Sequence, residues 1–325
     1  MVTTIGERVA LSVTTNLEHG GRWTSLLGGD REWLWQRPEP RRDHVSTGDA
    51  FADAGGLEEC IPTVRGIPDH GDAWSRPWRR EGEFDLVECL DFALRRRITV
   101  SDGTVSAEYH LDAAPGYRFL WAAHALLDVS EQASLVIADT APTRIFPEAA
   151  PFLAEPWPEG APWISGVWSN PHGIELDRLG PDDGSAIGAA VGPWPDHAEV
   201  TVRDTAKSEG PNYLLRSSRN APSAGKSEGP HHLPRSSRNA HSATGPLTLD
   251  TLHMTLHAEG QPTSIALWRN LGGFPETNPY RSIGVEPMLG CGFDIAQAGD
   301  QEAATVPASG QVSWSLQISA ERVSA

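Results

Sequence analysis

The sequence predicts an all-β protein: a large antiparallel β-sandwich of two packed sheets around one core, with little helix. Three observations lead there. Apolar and polar residues alternate with a period of two in several separate runs. Glycine (32) and proline (26) punctuate the chain at short intervals. No apolar stripe at i, i+3, i+4, i+7 is sustained for three helical turns.

The clearest element lies between Asp91 and Asp112. Phe92, Leu94, Ile98 and Val100 share one phase, with Asp91, Arg95, Arg97 and Thr99 between them. After Ser101-Asp102-Gly103 the alternation resumes as Val105, Ala107, Tyr109 and Leu111. Two such runs around an Asp-Gly turn predict a β-hairpin. A strand through Phe119–Leu127 sets His124 on the face opposite Phe119 and Trp121. Further strands are read at Leu252-Met254-Leu256 and Ile265-Leu267. Glu286 falls opposite Ile283 and Val285, and Pro287, which cannot donate to a ladder, is expected to end that strand. Val312-Trp314-Leu316-Ile318 supplies a closing C-terminal strand.

The 325 residues, 39% hydrophobic with twelve tryptophans, suffice for a single large domain over residues 1–325. Asp and Glu (43) outnumber Lys and Arg (26), giving a net charge of −17. Such a surface repels phosphate backbones and anionic headgroups, so neither nucleic acid nor a membrane is expected as partner. No apolar run reaches the ~18 residues of a membrane span, and the N-terminus has no signal-peptide pattern. Cys60, Cys89 and Cys291 share no metal or redox spacing, which fits a reduced, cytoplasmic protein.

One segment departs from the pattern. Lys207-Ser208-Glu209-Gly210-Pro211 recurs at Lys226-Ser227-Glu228-Gly229-Pro230, and Arg216-Ser217-Ser218-Arg219-Asn220-Ala221 recurs 19 residues on. Two copies without an apolar face do not make a solenoid. Residues 207–244 are expected to be a tandem 19-residue repeat inserted in a mobile surface loop; a basic docking arm is the alternative.

The twelve histidines form no His-Glu-x-x-His or comparable metal pattern, and no nucleophile elbow or phosphate-cradling glycine loop occurs. No metal and no cofactor are expected. The tryptophans either fill a wide core or stack on sugar rings. Three stretches stand out: Gly55-Gly56-Leu57-Glu58-Glu59-Cys60-Ile61-Pro62 with Pro68-Asp69-His70-Gly71; Phe119 to Leu127 around His124; and Leu267-Trp268-Arg269-Asn270 running on to Glu286-Pro287.

In their order and spacing these stretches resemble the galactose mutarotase-like (aldose 1-epimerase) superfamily. Gly20-Gly21-Arg22…Ser25-Leu26 and Trp33-Leu34-Trp35 look like that family's opening hairpins. The resemblance spans roughly residues 5 to 320 without the insert and implies the family's supersandwich, with an open sugar-binding face. It also implies an isomerase that interconverts the α and β anomers of an aldose by acid–base ring opening and reclosure. By position, Glu286 would take the C1 hydroxyl proton, His124 would donate to the ring oxygen, and His70 would orient the sugar there. Trp268, Arg22, Glu59 and Asp69 are the expected substrate contacts, a small-molecule sugar the partner, and a monomer or homodimer the assembly.

The family's Asn-His-x-Tyr-Phe-Asn-Leu reads Ala-Ala-His124-Ala-Leu-Leu here, so the residues shaping a galactose pocket differ. Arg65, Arg76, Arg79 and Arg80 suggest a hexose 6-phosphate as an alternative substrate. Two other functions compete: a non-catalytic carbohydrate-binding sandwich, and another carbohydrate-active enzyme on the same fold. For glycoside hydrolysis two facing carboxylates are required, for which Glu58 and Glu59 are candidates.

Overall fold

The computed structural model describes residues 6–138, 141–146, 175–205 and 248–324. The chain opens with β1 (Glu7–Val9), β2 (Leu11–Asn16), β3 (Arg22–Gly28) and β4 (Arg31–Glu32), followed by β5 (Leu57–Cys60), β6 (Arg79–Glu81) and β7 (Phe84–Glu88). Next come β8 (Phe92–Ser101), β9 (Thr104–Ala113), β10 (Arg118–Phe119), β11 (Trp121–Leu127), β12 (Ser134–Val136) and β13 (Thr143–Ile145). The C-terminal part holds β14 (Ala186–Asp204), β15 (Thr248–Leu271), β16 (Arg281–Leu289), β17 (Ala304–Thr305) and β18 (Gln311–Ser324). Among the described residues helix is confined to three short 3-10 turns. The repeat at 207–244 lies outside the described residues.

Pairing between the strands is antiparallel, and the main sheet runs β2-β3-β5-β11-β16-β15-β18-β9-β8-β7-β6. It becomes a sandwich because β15 serves both layers. Residues 248–257 pair with β18, whereas residues 263–271 pair with β16. β14 follows β15 through both layers, with register shifts between Val191 and Trp194 and between Pro195 and His197. At the bend the Asp196 carboxylate accepts the Gly260 N–H at 2.6 Å. Bulges and bends of this kind let one sheet fold over on itself.

The expected hairpin is β8–β9. Val100 pairs with Val105 and Ser101 with Thr104, while Asp102 and Gly103 take φ of 49° and 76°, as a two-residue turn of the primed type requires. Leu94, Ala107, Tyr109 and Leu111 are buried. Between the layers the rings of Tyr109, Trp121 and Trp314 pack with centroids 4.9 to 5.4 Å apart.

A polar cluster crosses the same interior. Arg96 stands in the core phase of β8 and is fully enclosed. Its Nη1 donates to Glu59 Oε1 at 2.8 Å and its Nη2 to Gly21 O at 2.8 Å and Asp85 Oδ2 at 3.3 Å. Tyr109 Oη and Trp121 Nε1 also donate to the Glu59 carboxylate, at 3.0 and 2.8 Å. Burial is tolerated because each charge meets an opposite charge and further hydrogen bonds.

Two expectations change here. Glu59 is not placed to touch a substrate: successive side chains of β5 point to opposite faces, and Glu59 takes the core face. The same alternation separates Glu58 from Glu59, so this pair cannot flank one glycosidic bond. Nor does the strand end at Pro287. β16 continues to Leu289, with Pro287 paired to Ile265 of β15. On the other edge the pairing with β11 is interrupted between Met288 and Gly284, so a residue without an N–H is accommodated where the ladder is open.

Candidate functional site

The site grows from three neighbouring strands, β5, β11 and β16. On β11, Trp121, Ala123, Ala125 and Leu127 pack into the main core, so His124 points to the opposite face. On β16, Ile283 and Val285 do the same and turn Glu286 outward. The β11–β16 register of Ala122 with Met288 and Leu126 with Gly284 puts His124 opposite Glu286, across the opened stretch of ladder. His124 Nδ1 lies 2.9 Å from Glu286 Oε1. The N–H direction is off the line to the oxygen, making this a charge contact rather than an aligned hydrogen bond. On its other side His124 pairs with Glu58 of β5.

Gly284 makes room for this pair. A methyl group built on it would collide with Glu286 Oε1 and lie 3.0 Å from Cβ of Trp268.

His70 arrives from the loop after β5. It takes φ of 58°, and Gly71 follows at 81°, where any side chain would strike the Ile61 carbonyl. A non-glycine residue held in the left-handed region costs about 1–2 kcal/mol, and such strain concentrates at functional sites. The turn brings the His70 ring to 5.2 Å from that of His124, edge to face. Asp69 holds it, with Oδ1 2.9 Å from His70 Nδ1. Asp69 Oδ2 in turn accepts the Phe51 N–H at 3.1 Å, and the Phe51 ring stacks on His70 at 3.9 Å and stands edge-on to His124 at 5.5 Å. Beneath this ring both imidazoles are 8% exposed and Glu286 3%.

The two histidines titrate in opposite directions. Burial disfavours charge on His124, but the adjacent Glu286 carboxylate outweighs it and raises the imidazole to about 9. Burial lowers His70, and the hydrogen bond to Asp69 does not restore it. Burial would raise Asp69, yet its bond to His70 and neighbouring charges hold it at about 2. At neutral pH the site therefore carries a protonated His124 beside a neutral His70. Glu58 is pushed up to about 7 by burial, against the pull of Arg42, Arg22 and His124.

Of the expected site residues, Glu286, His124, His70 and Asp69 are brought together. Trp268 lies on β15 opposite Gly284, its Nε1 donating to Ser282 Oγ at 3.2 Å. Arg22 donates to the carbonyls of Ala54 and Gly55 at 3.1 and 2.9 Å, and its Nε is 3.8 Å from Glu58 Oε1. Arg65, Arg76, Arg79 and Arg80 do not gather around a phosphate: they face Asp69, Asp72, Glu88 and Asp85 respectively. Sequence reasoning overlooked Arg42, whose Nη2 donates to Glu58 Oε2 at 2.9 Å, and Phe51. Both sit in a connection without periodicity, where no pattern marks them.

The backbone matches solved structures across almost its full length. The fold is that of the galactose mutarotase-like proteins. A protein of Klebsiella pneumoniae provisionally named an aldose 1-epimerase aligns with a TM-score of 0.59 at 11% identity, over 95% of this chain and 76% of its own. An Escherichia coli K12 protein with the same provisional name gives 0.55 at 10% identity, over 98% and 99%. The galactose mutarotase related enzyme of Lactobacillus acidophilus gives 0.51 at 11% identity, over 97% and 96%. No protein-family model and no curated protein matches the sequence. No helix among the described residues is long and apolar enough to cross a membrane. On this mutarotase-like fold the acid–base cluster lies on the face of the β5–β11–β16 layer turned away from the core.

Proposed function

We propose that the protein is an aldose 1-epimerase (mutarotase)-like isomerase that interconverts the anomers of an aldose. The observation carrying this reading is the geometry of the His124–Glu286 pair, an imidazole and a carboxyl group 2.9 Å apart with the His70 ring beside them; Glu286 raises His124 to about 9 and burial lowers His70. Ring opening requires one group to remove the C1 hydroxyl proton while another protonates the ring oxygen. Glu286 is the base and His124 the acid. Nδ1 of His124 faces Glu286, leaving Nε2 to meet the ring oxygen; Asp69 occupies Nδ1 of His70 and leaves its Nε2 to orient the sugar.

The pairing also supplies the driving force. His124 keeps its proton because Glu286 is negative. Once Glu286 accepts the C1 proton, that field vanishes and burial favours neutral imidazole. The proton is then released to the ring oxygen. Rotation about C1–C2 and the reverse transfers close the ring on the other face of the aldehyde. Phe51 stacks where a sugar approaches both imidazoles, so it moves aside on binding. A cytoplasmic monomer or homodimer acting on a small neutral sugar completes the reading.

Polarimetry on freshly dissolved α-glucose, α-galactose and α-glucose 6-phosphate tests it. The wild type accelerates mutarotation of at least one sugar, and Glu286→Gln removes the acceleration while the circular dichroism spectrum stays unchanged. Buffer-rate mutarotation of every sugar with wild type would point to a non-catalytic binder instead.

A further inference from the structure

Glu58 is a buried carboxylate on the site's face to which the acid–base chemistry assigns no task. We propose that Glu58 and Arg22 form the subsite for the exocyclic C6 hydroxyl of the aldose, selecting sugars with a free 6-hydroxyl over 6-deoxy sugars and 6-phosphates. This rests on the mutarotase reading of the same site.

The direction comes from the strand register. Glu58, His124 and Glu286 occupy matched positions on β5, β11 and β16, in steps of about 4.8 Å between strands. Mutarotation fixes O1 at Glu286 and the ring oxygen at His124. In a pyranose the ring oxygen joins C1 to C5, so the next atoms along that line are C5 and its substituent, C6–O6. They meet Glu58.

The chemistry at that point fits a hydroxyl. The Glu58 side chain is 2% exposed, and its Oε2 accepts from Arg42. Its Oε1 has no hydrogen-bond partner, and neither has Nε of Arg22, 3.8 Å away. A buried acceptor and a buried donor left open face to face are both costly. A hydroxyl satisfies the two together, donating to Oε1 and accepting from Nε. A methyl group satisfies neither, and a phosphate sets its charge against the carboxylate. One terminal nitrogen of each guanidinium is already engaged: Nη2 of Arg42 by the carbonyls of His19 and Trp74, and Nη1 of Arg22 by those of Ala54 and Gly55.

The test is a substrate series of glucose, 6-deoxyglucose and glucose 6-phosphate, followed by polarimetry with wild type and Glu58→Gln. Wild type should lose about tenfold or more in kcat/KM on going from glucose to 6-deoxyglucose, as expected when a site built for a hydroxyl meets an analogue without one. At a pH above the about 7 at which Glu58 titrates, glucose 6-phosphate should be disfavoured as well, and Glu58→Gln, by removing the charge, should narrow that gap. The wild-type series needs no variant, so a folding defect in Glu58→Gln cannot obscure it. Equal kcat/KM for glucose and 6-deoxyglucose, or a preference for glucose 6-phosphate, overturns the subsite and leaves the mutarotase reading standing. Should galactose alone be turned over, the same series is run on galactose, 6-deoxygalactose and galactose 6-phosphate; silence on both series overturns the mutarotase reading, and this proposal with it.

Discussion

Replacing Gly284 by alanine perturbs the His124–Glu286 pair without substituting either member. The backbone of Gly284 is ordinary strand, so alanine carries no conformational penalty there. The new methyl group would collide with Glu286 Oε1, the tip of a flexible side chain, and press on Cβ of Trp268 at 3.0 Å and Cδ2 of Leu126 at 3.3 Å. Relief comes most cheaply by moving the carboxylate about 1 Å to restore van der Waals contact. Lengthening the His124–Glu286 contact from 2.9 Å by that amount removes about 1.5 kcal/mol of attraction at an effective dielectric constant of ~20. That loss corresponds to roughly one pKa unit, so His124 should titrate nearer neutrality than the about 9 of the native pair. A base misplaced by about 1 Å can cost on the order of 10²-fold in rate. Two assays check this: the imidazole 15N shifts of His124 against pH, and the mutarotation rate by polarimetry. Native titration together with native activity in Gly284→Ala would refute the reasoning.

Mutarotation should fall as pH rises through about 9, where His124 loses its proton; a rate that stays level to pH 10 excludes His124 as the acid. The same raised pKa contributes stability that is fully present below the unfolded value of about 6.5 and is lost as pH rises through about 9, so the melting temperature should decline over that window, less so in Glu286→Gln. Arg96→Met leaves the Glu59 carboxylate buried without its guanidinium and Asp85 with Arg80 alone, and should cost about 3–5 kcal/mol in urea unfolding. Phe51→Ala uncovers both imidazoles and should speed their modification by diethyl pyrocarbonate; an unchanged rate means that Phe51 does not shield them.

Legibility in the sequence followed periodicity. Where one strand face meets the core and the other does not, alternation was enough: it set out the β8–β9 hairpin and put His124 and Glu286 on the face away from the core. β5 carried no such signal. All four of its residues are buried, so Leu57-Glu58-Glu59-Cys60 reads the same in either phase, and the sequence does not tell which glutamate faces the core. Arg96 did leave a trace, a charge on the apolar phase of a strand. Its partner Glu59 lies 37 positions away, a distance no local pattern spans. Arg42 and Phe51 depend on how a connection folds back over the sheet. Pro287 misled because its missing N–H matters only when the neighbouring ladder is closed.

β14 and β15 have a consequence for folding cooperativity. Their pairing runs unbroken in direction from Ala186 with Asn270 to Asp204 with Asp250, so the two longest strands belong to both layers at once. Neither layer has a complete set of strands of its own, and neither can melt while the other stays intact. Unfolding should therefore be a single transition in which the strands carrying the site and those on the far side of the core are lost together. The pairing partners are also distant in sequence, and such long-range topology makes folding slow, on the millisecond-to-second scale even for small all-β domains. An anomerase assembled on this sheet would gain its acid–base pair late, only after both layers have closed.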